Sequence, residues 1–151
     1  AGFRTVIIDN REQFANRDRF PEADELHAQE YEDLFPQLEI NESSYLVIVT
    51  RGHRDDMRIL RWAIDTPARY IGMIGSKRKT LNVVKELEKE GIPRERFERL
   101  HSPMGLEIAA VTPEEIAVSV VAEMISLRRN AHPGWNPLSK SIFAQGVLKA
   151  T

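Results

Sequence analysis

The sequence contains no cysteine. That removes disulfides, thiolate metal ligands, iron–sulfur ligation and a thiol nucleophile or sulfur carrier together. Long hydrophobic runs are also missing: Val6-Ile7-Ile8 and Tyr45 to Val49 are strand-length, far short of the roughly 18 residues a membrane-crossing helix needs. No signal-peptide pattern precedes them, so a cytoplasmic protein with no membrane partner is expected. Nor is there an excess of one charge. Lys plus Arg number 21 against 23 Asp plus Glu, a net charge of -2, so no global field draws the chain to nucleic acid or anionic lipid, and any anion site must be local. What is present, 42% hydrophobic and 29% charged residues over 151 positions, suits a globular domain with a real core.

Short β-branched runs alternate with amphipathic stretches. Arg4 to Asp9 (RTVIID) reads as a buried strand ending on an acid, Ala23 to Ala28 as a second short strand, and Glu30 to Leu38 as a short helix. Tyr45 to Thr50 (YLVIVT) is the clearest strand and stops at Arg51-Gly52. His53 to Thr66 then spaces Met57, Leu60, Ala63 and Ile64 along one helical face, with Asp55 and Asp56 in the first turn, where the helix dipole favours acids. Arg69 to Ile74 (RYIGMI) is a third strong strand. Gly75-Ser76 turns from it into a helix that runs to about Glu90 and stops at Gly91. Arg94 to Arg99 reads as one helical turn and Leu100-His101 as a short strand.

Thr112-Pro113-Glu114-Glu115 is a capping box with Pro at the first helical position. The helix it opens, to about Arg129, has an apolar pattern (Ile116, Val120, Met124, Leu127) broad enough to be largely buried. Trp62 reads as core, and Trp135 as a packing anchor or interface residue. The expected architecture is α/β: a doubly wound, mostly parallel sheet with helices on both faces over residues 1–130, followed by a tail or docking arm at 131–151. In such sheets ligands bind at the carboxyl ends of the strands.

Four segments fall on that edge. Asp9 ends the first strand, where an acid can accept hydrogen bonds from both hydroxyls of a ribose diol, or can simply satisfy the following turn. Thr50-Arg51-Gly52-His53-Arg54 surrounds a helix N-terminus. Its cations would meet an anion there, or pair with Asp55 and Asp56. Gly75-Ser76-Lys77-Arg78-Lys79 is the sharpest signal, since three consecutive cations at a helix start oppose the dipole by up to about 1 kcal/mol each unless a phosphate sits in the turn. The rival reading there is solvated side chains or a partner protein's acids. His101, ahead of Ser102-Pro103-Met104-Gly105, ends another strand and is expected to face the same cleft as His53. The four histidines give no local metal pair, so no metal site is expected.

The strings TRGH (50–53), PARYIGMIGSKRK (67–79) and HSPMGLEI (101–108), then TPEEIA from Thr112, together with Gly2-Phe3 to Arg11 and Phe14 to Asp24, resemble the C-terminal Rossmann domain of the xanthine dehydrogenase accessory factor family (XdhC/CoxI). The resemblance covers about residues 2–130. It implies a Rossmann-like fold and a non-catalytic maturation factor. Such a factor binds the molybdenum cofactor (molybdopterin), keeps it available to a cysteine desulfurase for sulfuration, and assists its insertion into an apo-molybdenum hydroxylase; a homodimer is a further option. Carried onto this chain, the cofactor-binding candidates are Arg51, Gly52, His53, Gly75, Ser76, Lys77, His101 and Gly105, to which the reading of the strand end and of the cation turn adds Asp9 and Arg78.

Ala109-Ala110 stands where the family usually shows Gly-Ala, and Ser102 and Met104 replace its common Ala and Ile. The family's N-terminal domain and the first Rossmann strand with its glycine turn have no counterpart here. The expectation is therefore a domain truncated at its N-terminus, or one completed by a strand from a partner. The alternative function is an NAD(P)-binding oxidoreductase domain, supported by Asp9; a protein-docking surface is the third reading.

Overall fold

The run Val6–Ile8 forms strand β1, and Glu25–His27 forms β2, paired in parallel with Ile7 opposite Leu26. The helix α1, Tyr31–Leu34, tightens into a single 3-10 turn at Phe35–Gln37, where Pro36 supplies a fixed φ. Ala15, Ala23, Tyr31 and Leu34 are the buried apolar residues of this unit, Ala1–Glu39. The chain from Ile40 onward is a second compact unit. The computed structural model describes residues 1–130, so the reading of 131–151 as a tail, and of Trp135 as an anchor, lies outside the described residues.

In the second unit β3 (Tyr45–Ile48), β4 (Tyr70–Met73) and β5 (Leu100–His101) are all parallel in the order β3-β4-β5. The anticipated parallel strands are thus present, in two sheets instead of one, because no described strand pairs with both β1 and β3. The helices are α2 (His53–Ala63), α3 (Lys77–Lys89) and α4 (Pro113–Arg128). Helix α2 stops before the expected Thr66, because the amides of Asp65 and Thr66 turn to the carbonyls of Trp62 and Ala63 and tighten the last turn ahead of Pro67. Gly91, at φ +97°, closes α3: its N–H donates to Glu88 O and that of Ile92 to Leu87 O, which satisfies two carbonyls otherwise left open.

Strand alternation sorts the sheet into two faces. Ile48, Ile71, Met73 and Leu100 pack with Leu60, Ile64, Val83, Val84 and Leu87 of α2 and α3 in one fully buried core, with Trp62 at its margin as expected. Truncating one such leucine to Ala costs about 2–5 kcal/mol. Tyr70, Gly72 and His101 lie on the opposite face, where Glu123 of α4 reaches Tyr70 and His101. Helix α4 corrects an expectation. Only Ser119, Val120, Glu123 and Met124 are buried, while Val118 and Val121 are exposed, so its broad apolar pattern is only half used.

Candidate functional site

Three successive loops at the carboxyl edge of β3, β4 and β5 carry the predicted residues. The first is held by Asp56, which α2 buries completely. The Thr50 hydroxyl lies 2.6 Å from Asp56 Oδ1 and accepts from the Gly52 N–H. Lys79 Nζ of α3 lies 2.5 Å from Oδ2, yet Oδ2 has no aligned hydrogen bond. The pair is therefore a charge contact, and it binds the β3 loop to the first turn of α3. Asp55 pairs with Arg58 at 3.1 Å. The partners of the two acids are thus Lys79 and Arg58, not the loop cations Arg51 and Arg54. Gly52 sits at φ −154°, which any residue adopts, and a side chain there would enter open space.

The second loop caps α3. Ser76 Oγ accepts from the Lys79 N–H, so the side chain is used by the helix. Gly75, at φ +148°, lies so close to the Lys79 stem that a β-carbon there would come within 2.9 Å of Cδ. Of the three consecutive cations, Lys79 is paired with Asp56. Lys77 and Arg78 have no partner among the described residues, and neither do their backbone N–H groups.

The third loop is built on Glu123. This carboxylate is fully buried and takes three donors: the Tyr70 hydroxyl at 2.7 Å, the Gly105 N–H at 2.7 Å and His101 Nδ1 at 3.0 Å. Burial pushes its pKa up, but the donors from His101, Gly105 and Tyr70 outweigh that and leave the carboxyl below its ordinary value. The phenol of Tyr70 moves the other way, raised by burial first and by the Glu123 charge second. Gly105 has φ +107°, and a β-carbon there would collide with Ser119 Oγ, so glycine is required on both counts. Ser102, also fully buried, ties this loop to its neighbours: its Oγ donates to Met73 O at 3.0 Å and lies 2.7 Å from Thr80 Oγ1.

The three loops are thus stitched together by buried polar contacts, and Arg51, Gly52, Gly75, Ser76, Lys77, Arg78, His101 and Gly105 share one sheet edge. His53 departs from expectation. It lines an open groove of about 650 Å³ on the outer side of α2 and α3, with Met57, Asn82, Lys85, Glu86 and Lys89, whereas His101 lies on the face of the sheet under α4. The two histidines do not face one cleft, because the first turn of α2 rotates position 53 away from the strand ends. Asp9 belongs to the other unit. Arg11 occupies both its oxygens at 2.8 Å and holds the carboxyl below its usual range, which is the strand-end acid satisfied by its own turn. Glu123 and Asp56 were missed. A signal existed for Glu123, the one charged residue between Ile116 and Leu127 in an apolar helix.

A family model described as the XdhC Rossmann domain matches residues 1–124. The chain belongs to the XdhC Rossmann-domain family. Its α/β architecture with parallel strands is that of the family. YqeB of Escherichia coli (strain K12) is 32% identical to this XdhC domain over 134 residues, 88% of the chain and 24% of that protein. A probable xanthine dehydrogenase subunit of Bacillus subtilis (strain 168) is 34% identical over 128 residues, 85% of the chain and 37% of that protein. Among solved structures, a xanthine dehydrogenase from Bacillus halodurans matches with a TM-score of 0.75 and 35% identity, covering 85% of this chain and 38% of its own. The XdhC domain therefore spans between a quarter and two-fifths of the length of these relatives. No helix among its described residues is long and apolar enough to cross a membrane.

Proposed function

We propose that this XdhC domain serves the maturation of a molybdenum hydroxylase of the xanthine dehydrogenase type by holding molybdenum cofactor at the carboxyl edge of β3, β4 and β5. The cofactor is cargo, a pterin bearing a phosphate, awaiting sulfuration by a cysteine desulfurase and insertion into the apo-enzyme. One observation carries the reading. At the start of α3, Lys77 and Arg78 and their backbone N–H groups have no partner among the described residues, while the third cation is neutralised by Asp56. A dipole end with free N–H groups and two spare cations is a phosphate cradle in its chemistry. Two relatives named as xanthine dehydrogenases give the hydroxylase class. With no cysteine among these 151 residues, the sulfur of the reaction comes from outside them.

In this reading Lys77 and Arg78 bind the phosphate, Gly75 lets the backbone turn beneath it, and the Asp56–Lys79 contact holds the turn beside the β3 loop. The nicotinamide reading rested on Asp9, whose two carboxylate oxygens are taken by Arg11. Isothermal titration of the full chain with molybdopterin, NAD and NADP tests the proposal. Molybdopterin binding is expected, weakened roughly a hundredfold or more by Lys77→Glu with Arg78→Glu. Selective nicotinamide binding, or molybdopterin affinity unchanged in the double variant, overturns it.

A further inference from the structure

His101 and Glu123 have a relation that the phosphate cradle does not use. Glu123 is a fully buried carboxylate, the one charged residue between Ile116 and Leu127 of α4, and three donors from three different segments converge on it. Because the carboxylate accepts only, its 3.0 Å contact with His101 requires the proton on Nδ1. The other ring nitrogen, Nε2, then carries the lone pair. Among the described residues Nε2 has no partner, and the ring is one-fifth exposed at the end of β5, on the edge where the ligand is placed. Orientation is fixed twice more: the ring lies 4.8 Å from that of Tyr70, and the Tyr70 hydroxyl is bonded to the same carboxylate. Glu123 of α4 and Tyr70 of β4 are the titratable groups in contact with His101.

We propose that His101 is a proton acceptor for the ligand and that Glu123 is its positioning residue. Nε2 accepts a hydrogen bond from an N–H, O–H or S–H group of the ligand. When that group ionises, its proton passes to Nε2, leaving the ligand anionic and the imidazolium paired with the Glu123 carboxylate. A carboxylate behind a histidine also serves metal sites, but among the described residues no group of three or more His, Asp or Glu is arranged to hold a metal ion. Proton acceptance is the chemistry that one lone pair backed by one carboxylate supports. The proposal rests on the reading of this edge as the molybdopterin site.

Two measurements on the full chain test it. Long-range proton–nitrogen NMR of the histidine rings is expected to find His101 protonated at Nδ1 in its neutral form; the Nε2–H tautomer overturns the proposal without any ligand. The same NMR on the molybdopterin complex is expected to find His101 protonated at both ring nitrogens, and titration calorimetry in buffers of different ionisation enthalpy to register no net proton exchange, since the proton comes from the ligand. His101→Gln should bind molybdopterin roughly tenfold to a hundredfold more weakly. Glu123→Gln should leave the His101 ring of the complex singly protonated, through loss of the carboxylate that pairs with the imidazolium. His101→Gln alters a partly exposed side chain and serves if Glu123→Gln fails to fold. Binding by the wild-type chain with His101 Nε2 unprotonated in the complex, and equal affinity in His101→Gln, sinks the dyad while leaving the site in place. No binding by the wild-type chain removes the site and the dyad with it.

Discussion

The second unit buries two acids, Asp56 and Glu123, each to zero exposure, and holds them in opposite ways. Asp56 keeps one hydroxyl and one lysine, with an oxygen that has charge beside it but no aligned donor. Glu123 keeps three aligned donors, two of them neutral O–H and N–H groups fixed by the sheet and a tight turn. A charge contact tolerates angular error and responds to ionic strength. A directed network does neither. The difference separates the two parts of the edge: a charge tether at the turn into α3 and a directed mount behind His101.

That contrast can be broken experimentally. The largest effect is expected from Glu123→Ala, which strands the Tyr70 hydroxyl and the Gly105 and His101 N–H groups; a loss of about 3–5 kcal/mol in urea unfolding is expected. The same carboxyl also predicts a pH dependence. Its pKa is depressed in the fold, so its contribution is fully present above the unfolded-chain value and is lost as pH falls through the folded value. The urea midpoint should therefore fall once the pH drops below the ordinary carboxylate range, with a shallower slope in Glu123→Gln. Lys79→Met should cost less, about 1–3 kcal/mol, because its side chain is only partly buried. Adding Asp56→Asn should recover most of that loss, and high salt should shrink the difference for this pair alone. The smallest stability change is expected for Gly52→Ala, under about 1 kcal/mol, since its φ and the space around it admit a methyl group. A drop in molybdopterin affinity in that otherwise stable variant would sharpen the comparison by showing that the ligand approaches the backbone on the tethered side.

The elements were largely legible in the sequence. β-Branched runs announced β1, β3 and β4, the Thr112 to Glu115 capping box announced α4, and Gly91 announced the end of α3, because each signal is local. The cation turn at 75–79 was legible for the same reason. Asp56 was not, and Glu123 only as a lone charge between Ile116 and Leu127, since the role of an acid on a helix is hidden until its partners, 23 residues away for Lys79 and 53 for Tyr70 (79 − 56 and 123 − 70), are brought to it by the fold. His53 and His101 were expected to converge because both follow strands. The turn into α2 carries one to the helix side, while strand register keeps the other beside Gly72. Asp9, expected either to meet a ribose diol or to satisfy its own turn, is held by the turn for a local reason that spacing alone could not weigh: an arginine two residues on folds back onto it.

Gly72 has no side chain, and the phenol of Tyr70 lies across the gap, so that a β-carbon at 72 would fall inside contact distance of the ring's Cε1, Cζ and oxygen. The ring is thus seated on bare backbone. Any atom added beneath it would act as a wedge at the hydroxyl end and lift the oxygen off Glu123, which loosens the support of the histidine that sits opposite position 72 on the neighbouring strand. A single missing methyl group in the floor of the sheet in this way sets the aim of an imidazole it never touches through a side chain of its own.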